Sequence, residues 1–363
     1  MNPPLIVDAH EDLAYNMLNF GRDYTRAAAE TRRLEAESGS PAPAHSGETL
    51  LGWPDYQRGR VALVFSTLFV TPARRREGEW ETVTYADFDQ AHRQYRRQLE
   101  AYHELVDRHG DQFRLVVSRA GLEAHLAEWQ QDGSHPVGLV PLMEGAEGVR
   151  TPAELESWWQ DGVRLIGPAW AGTRFCGGTR EPGPLTDDGR ALLKVMAAIG
   201  FSLDLSHMDE LAARQALDIY PGPIIASHAN AAALIPEYRG NRHLSDDLIR
   251  SLVQRGGVIG VLPYCRFLDY RWRAGDRRDG IGLETVAAHL DHICQLAGDA
   301  RHAALGSDFD GGFGLSAAPA GVDTVADLQK LGPILAARGY NADDVAAILG
   351  GNWLRHLQTY LPA

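Results

Sequence analysis

His10, Asp12, Glu144, His207, His228 and Asp308 are the residues whose types could share one chemistry. Three imidazoles and three carboxylates suit a divalent transition metal, Zn2+ foremost, with Fe2+, Mn2+ and Co2+ as alternatives. His10 and Asp12 stand two apart after the apolar run LIVDA. Residues two apart on an extended chain point the same way, so both can reach one ion. Each of the others also closes a short apolar run: Glu144 follows GLVPLM, His207 follows SLDLS, His228 follows PIIAS and Asp308 follows AALGS. Five protein ligands exceed what one catalytic zinc uses, which is three with a position left open. They suit two ions joined by a bridging carboxylate. Such a pair, about 3.5–4 Å apart, holds a hydroxide at neutral pH and polarises a substrate carbonyl. Asp308, the carboxylate left over, is then free to act as general acid and base. Glu147 competes with Glu144 for the bridging place. Asp310 competes with Asp308 inside GSDFDG, a Gly/Asp turn that structure alone could require.

These residues need a scaffold that gathers strand ends. Candidate strands run at 5–9, 61–70, 138–143, 164–168, 202–206, 223–227, 257–262 and 303–307. Most carry few charges, as strands buried on both faces do. Amphipathic helical patterns fall between them at 85–109, 152–161, 186–199, 209–218, 245–255 and 283–297. This alternation predicts an α/β protein of the (β/α)8 TIM-barrel class, the fold of metal-dependent amidohydrolases, in which all strand ends meet on one face. An open doubly wound sheet would carry a Gly-rich phosphate turn after its first strand, and DAHED is not one. The expected organisation is a single domain over 1–363. Loop insertions are expected around 35–60 (loop or lid), 71–113 and 169–185, with two closing helices within 324–360. The remaining histidines read as structural. His289 and His292, three apart on a helix, read as a solvated face, and His92, His103, His109 and His125 read as surface.

Composition narrows the chemistry. With 35 basic and 48 acidic residues the net charge is −13, unsuited to non-specific binding of nucleic acid. Only Lys194 and Lys330 are lysines, and both sit in helical patterns. That disfavours Schiff-base and pyridoxal phosphate chemistry. It also removes the carbamylated lysine that bridges metals at the end of strand four in some amidohydrolases. The bridge is then a native carboxylate, with Glu144 in place for it. Three scattered cysteines make no disulfide framework and fit a reducing compartment. The N-terminal MNPPLIVDAHEDL lacks a signal-peptide pattern, and no apolar run is long enough to span a membrane. The expectation is a soluble, cytoplasmic protein with no membrane partner.

The motifs resemble the membrane (renal) dipeptidase family, peptidase family M19, and within it a bacterial-type soluble member. VDAHEDL is similar to the family's first-strand motif, and LMEGAEGV to its bridging-ligand motif. GPLTDDGRALLKVMAAIGFSLDLSH resembles the segment ending in a ligand histidine, PIIASHANA the second histidine motif and LGSDFDGG the strand-eight motif. AAHLDHICQLAG and ILGGNWLRHL resemble the closing helices, so the likeness covers nearly the whole chain. It implies two Zn2+ ions per chain and hydrolysis of dipeptides, L,D-dipeptides included, through a metal-bridging hydroxide. Carried over, His10 and Asp12 bind one zinc, Glu144 bridges, and His207 and His228 bind the other. Asp308 serves as acid/base and holds the substrate amine. Arg242, in GNRHLSDD, grips the substrate carboxylate, a role that a guanidinium fork suits; Arg239 lies close enough to compete. The resemblance also suggests a homodimer. Trp170 stands where family members often carry a substrate-contacting histidine. Its single N–H cannot titrate, so oxyanion stabilisation falls to a metal, to that indole or to Arg174. Two rival readings remain. One is another small-amide or lactone hydrolase or a deaminase on the same barrel, since fold does not fix function. The other is a non-catalytic metal-binding barrel.

Overall fold

The structure is a computed structural model that describes residues 3–363. Eight strands form its centre: β1 (Ile6–Glu11), β2 (Val61–Phe69), β3 (Val137–Glu144), β4 (Leu165–Gly167), β5 (Ser202–Asp204), β6 (Ile224–Ile225), β7 (Ile259–Val261) and β8 (Ala303–Leu305). Every neighbouring pair is parallel, in the order β6-β5-β4-β3-β2-β1-β8-β7. A parallel bridge between Ala226 and Ile259 joins the two ends. The result is a nearly closed α/β barrel. Val7, Ala9, Leu63, Phe65, Val140, Leu142, Leu165, Ile225 and Ala304 pack into one buried cluster. Residues of strands so far apart in the order can touch only through the interior of the ring. Val64, Leu139, Met143, Ile166, Leu203 and Leu305 belong to the larger cluster that includes the helices, as the two-residue period of a strand requires.

The predicted helices form with small shifts at their ends. Side-chain caps explain several starts: Asp87 caps Phe88–Arg108, Thr186 caps Asp187–Ile199, Asp209 caps Glu210–Ile219 and Ser245 caps Asp246–Gln254. Most strands are shorter than the apolar runs that mark them. Their C-terminal residues leave the ladder and turn into loops, where the metal-ligating residue types stand. The loop expected at 35–60 is partly helical, with Ala42–His45 and Trp53–Gly59 following Ala28–Ser38. Buried polar contacts order it: Arg22 pairs with Glu35 at 2.9 Å, and Asp55 accepts from the Ala28 N–H at 2.7 Å. Within 169–185, Cys176–Gly178 and Glu181–Leu185 form an antiparallel ribbon. An unpredicted strand, Phe113–Leu115, adds to the edge of β3. The C-terminal segment is more broken than two helices, because a π turn at Ala347–Gly351 interrupts it. A Cβ at Gly350 would lie 2.5 Å from the Leu5 carbonyl oxygen, so this turn packs directly on the chain entering β1.

Two histidines read as surface are buried. His125 lies at 2.8 Å from the Ala62 carbonyl, and the His289 Nδ1 accepts from the Ala231 N–H at 3.2 Å. A backbone partner satisfies one ring nitrogen of each, which makes burial tolerable. His292, the partner of His289 in sequence, is half-buried and sits 2.7 Å from Asp246. No helix among the described residues is long and apolar enough to cross a membrane.

Candidate metal centre

The barrel brings the six predicted residues together at the C-terminal ends of its strands. Glu144 is the last residue of β3, while His207, His228 and Asp308 each stand three residues beyond β5, β6 and β8. His207 (φ 66°) and Asp308 (φ 57°) hold left-handed backbone, a costly conformation that non-glycine residues keep mainly where function requires it. Three donor groups result: His10 with Asp12 and Glu144, Glu144 with His207 and His228, and His10 with His228 and Asp308.

The Glu144 carboxylate faces two ways. Its Oε1 lies 3.1 Å from His207 Nε2 and 3.4 Å from His228 Nε2, and those two nitrogens are 2.9 Å apart. Donors bound to one tetrahedral ion at about 2.0–2.1 Å are spaced about 3.3 Å from each other, so this triangle has a single ion's dimensions. Its Oε2 lies 3.7 Å from His10 Nε2, which is also 4.0 Å from Asp12 Oδ2 and 3.9 Å from Asp308 Oδ1. His10 Nε2, Asp12 Oδ1 and Glu144 Oε1 are buried without a hydrogen-bond partner. Buried polar atoms that go unpaired call for a ligand, and convergent imidazole and carboxylate donors fit a divalent cation.

Charge tells the same story. Burial disfavours protonated His10, but the carboxylates of Glu144, Asp12 and Asp308 overcome it and push its pKa up to about 10. Burial also opposes ionised Glu144, and His10 and His207 reverse that, holding it below the usual carboxylate range. A proton on His10 thus does in the metal-free protein what a cation does better. Burial, aided by Arg242, pushes His207 down to about 4, and burial takes His228 well below its ordinary value. Both are neutral imidazoles with lone pairs to give. Burial raises Asp308 to about 7, with His10 opposing and Glu144 adding to the rise.

The competitors are occupied elsewhere. Asp310 accepts from Arg22 at 3.1 Å, Tyr24 at 2.9 Å, Thr49 at 2.6 Å and the Leu50 N–H at 3.1 Å. Glu147 accepts from the Arg174 N–H at 2.8 Å. Arg239 is exposed and bonds carbonyls of its own turn. Arg174 bonds the carbonyls of Val149 and Arg150 and does not reach the site. Arg242, in contrast, is 3% exposed and lines the cavity above the donors. Its Nη2 donates to the His228 carbonyl at 2.9 Å, while Nε and Nη1 are buried without partners. That cavity holds about 290 Å³ and is also lined by Asp12, Glu144, His207 and Asp308. Trp170 forms part of its wall, 5.0 Å from the Phe69 ring and 6.2 Å from His207.

Several contributors escaped sequence reasoning. The Thr179 hydroxyl, at the tip of the 176–185 ribbon, is 2.9 Å from His207 Nδ1. Ser227 Oγ is 2.8 Å from His228 Nδ1 and also bonds Asp204. Tyr95, from the long helix Phe88–Arg108, donates to the Glu144 carbonyl at 2.6 Å. The one available signal was the serine before each histidine in DLSH and ASH. Serine is common enough that its type alone marks nothing.

Comparison with known proteins places the chain in a family. The pattern defining Membrane dipeptidase (Peptidase family M19) matches residues 1–360. A Klebsiella pneumoniae protein encoded in the pqqA 5' region is 34% identical over 273 residues, which is 72% of this chain and 94% of that one. Dipeptidase aclJ of Aspergillus oryzae is 26% identical over 317 residues, 84% of this chain and 68% of that one. A Rhodobacter sphaeroides metallo peptidase, solved with a phosphinate mimic of the dipeptide L-Ala-D-Ala, superposes with a TM-score of 0.77 at 23% identity, covering 99% of this chain and 100% of that one. This likeness concerns the fold. The chain belongs to the membrane dipeptidase family, peptidase family M19, and is a metallo-dipeptidase.

Proposed function

We propose that this enzyme hydrolyses dipeptides at a pair of zinc ions. His10 and Asp12 would hold one ion, His207 and His228 the other, and Glu144 would bridge them. The observation that carries the reading is Glu144, whose two oxygens face separate sets of donors. Bound there, the two cations supply activation of water at neutral pH and polarisation of the scissile carbonyl. The protein's own groups do the rest. Asp308 takes the proton of the attacking water and passes it to the leaving amine nitrogen as the C–N bond breaks. With cations held beside it, Asp308 would be ionised and ready to receive that proton. Asp308 also holds the substrate's free amine. Arg242, which lines the same cavity, offers its unpartnered donor atoms to the substrate's carboxylate. Anchors at both ends of a short zwitterion exclude longer peptides. L,D-dipeptides belong among the proposed substrates, in line with the L-Ala-D-Ala mimic held by the Rhodobacter sphaeroides relative. Trp170 gives the cavity an aromatic wall.

The carboxylate anchor separates this reading from a lactonase or deaminase on the same barrel. Arg242→Ala is expected to raise KM for Ala-Ala about ten- to a hundredfold, the worth of a charge-assisted hydrogen bond or two. Ala-Ala with its C-terminus amidated should be a poor substrate of the unaltered enzyme. Equal kcat/KM for the free and amidated dipeptide contradicts the reading.

A further inference from the structure

The two histidines nearest the centre of the site share one hydroxyl. Ser227 Oγ lies 2.8 Å from His228 Nδ1 and 3.4 Å from His10 Nδ1. The two imidazoles stack at a centroid distance of 3.7 Å. The same oxygen lies 2.5 Å from Asp204 Oδ2. Asp204, the last residue of β5, also accepts through Oδ1 from the N–H groups of Ser206 at 3.0 Å and Ser227 at 2.9 Å. All of these residues are buried.

A count of protons fixes the direction of this chain. A carboxylate only accepts, and a serine has one proton to give. Ser227 therefore spends its proton on Asp204, and its lone pairs are left to accept, from His228 Nδ1 at 2.8 Å and from His10 Nδ1 at 3.4 Å, with Ser206 Oγ also 3.2 Å away. An imidazole bonded to this oxygen must then carry a proton on Nδ1, which in the neutral ring leaves the Nε2 lone pair facing the metal centre. His228 Nε2 points at Glu144 Oε1, and His10 Nε2 points at Glu144 Oε2. His10 and His228 belong to different halves of the proposed ion pair.

We propose that Asp204 and Ser227 are positioning residues that set the tautomer of one histidine ligand at each metal, through a single shared hydroxyl. The inference rests on the ligand set given under Proposed function. It adds that the two ions depend on one buried hydrogen-bond chain, so a change at Ser227 weakens both together. His207 has a different support, Thr179, and lies outside the chain.

Two substitutions separate orientation from bulk. Ser227→Ala removes the acceptor of both Nδ1–H groups, and zinc affinity should fall about ten- to a hundredfold at both ions, the usual effect of losing such a partner. Asp204→Asn keeps the shape but changes the direction. The N–H groups of Ser206 and Ser227 hold the amide oxygen, so the amide nitrogen faces Ser227 Oγ and donates to it. The serine proton is then free to turn toward His228 Nδ1, which favours the tautomer protonated on Nε2, where no metal can bind. Asp204→Asn should bind zinc more weakly than Ser227→Ala. The readouts are competition with a chelator for zinc and ¹⁵N imidazole shifts of the zinc-loaded and metal-free proteins. In the unaltered protein the shifts should report Nδ1–H for His10 and His228. Zinc affinities within twofold of the unaltered protein in both variants overturn the proposal, as does a neutral His228 protonated on Nε2 in the unaltered metal-free protein. Ser227→Ala only removes an atom and carries the test alone should the Asp204 variant not fold. Failure of the unaltered enzyme to bind two zinc ions counts against the ligand set instead, which keeps the two ideas apart.

Discussion

At the scale of single residues, chemistry was legible wherever type and position reinforced each other. The two-residue spacing of His10 and Asp12, and the places of Glu144, His207, His228 and Asp308 just past apolar runs, pointed to residues that the structure brings together. What the spacing left open was the choice between near neighbours. Glu144 and Glu147, or Asp308 and Asp310, differ only in what surrounds them after folding: Asp310 is spent on Arg22, Tyr24 and Thr49, while Asp308 faces the cavity. Ser227, Asp204 and Thr179 were invisible because small hydroxyls and a carboxylate near a strand end have many ordinary uses. Asp308 is where the residue-scale account is most exposed. Asp308→Asn removes the proposed proton acceptor without removing Glu144 or the histidines. It should lower kcat about 10²- to 10⁴-fold with metal content unchanged by elemental analysis. Loss of metal with no further loss of kcat after reloading would show that Asp308 is a ligand and not the acid/base.

At the scale of elements, the eight strands and the main helices were legible because both periodicities are strong there. The insertions were less so. Pro and Gly mark breaks, yet in 35–60 buried polar contacts to Glu35 and Asp55 fold short helices that no apolar period announces. His125 and His289 were misread for a related reason, since a backbone partner lets a polar residue face the core. Strand ends meet closely around the histidine pair. A Cβ at Gly306, just past β8, would fall 1.8 Å from the Ser227 carbonyl oxygen, and one at Gly260 in β7 would fall 1.9 Å from it. Backbone cannot yield as a flexible side chain does. Gly306→Ala should therefore cost about 1–3 kcal/mol or more and displace the turn carrying His228. Urea unfolding and zinc content should both fall. A normal unfolding midpoint with full zinc contradicts the close packing described.

At the scale of the molecule, burial of neutral histidines couples stability to acidity. Burial pushes His289 down to about 4 and His356 to about 3, and lowers His125 as well. These groups stay neutral in the fold but take up protons near pH 6.5 once unfolded. Their contribution is whole above pH 6.5 and drains away as the pH falls toward 4 for His289 and 3 for His356. His289→Asn, which can still accept from the Ala231 N–H, should flatten the loss of unfolding free energy between pH 6.5 and 4. An unchanged slope would mean that His289 takes no part. The nearly closed barrel does for the site what no single element can, bringing donors from β1, β3 and the turns after β5, β6 and β8 within reach of one another. The central claim, that a dipeptide is cleaved at two cations joined by Glu144, is tested most directly by removing metal with a chelator and titrating Zn2+ back while following Ala-Ala hydrolysis. The account predicts negligible activity without metal and recovery that saturates at two equivalents per chain. Full activity in the metal-free protein, full recovery at one equivalent, or no hydrolysis of any dipeptide with two ions bound would contradict it.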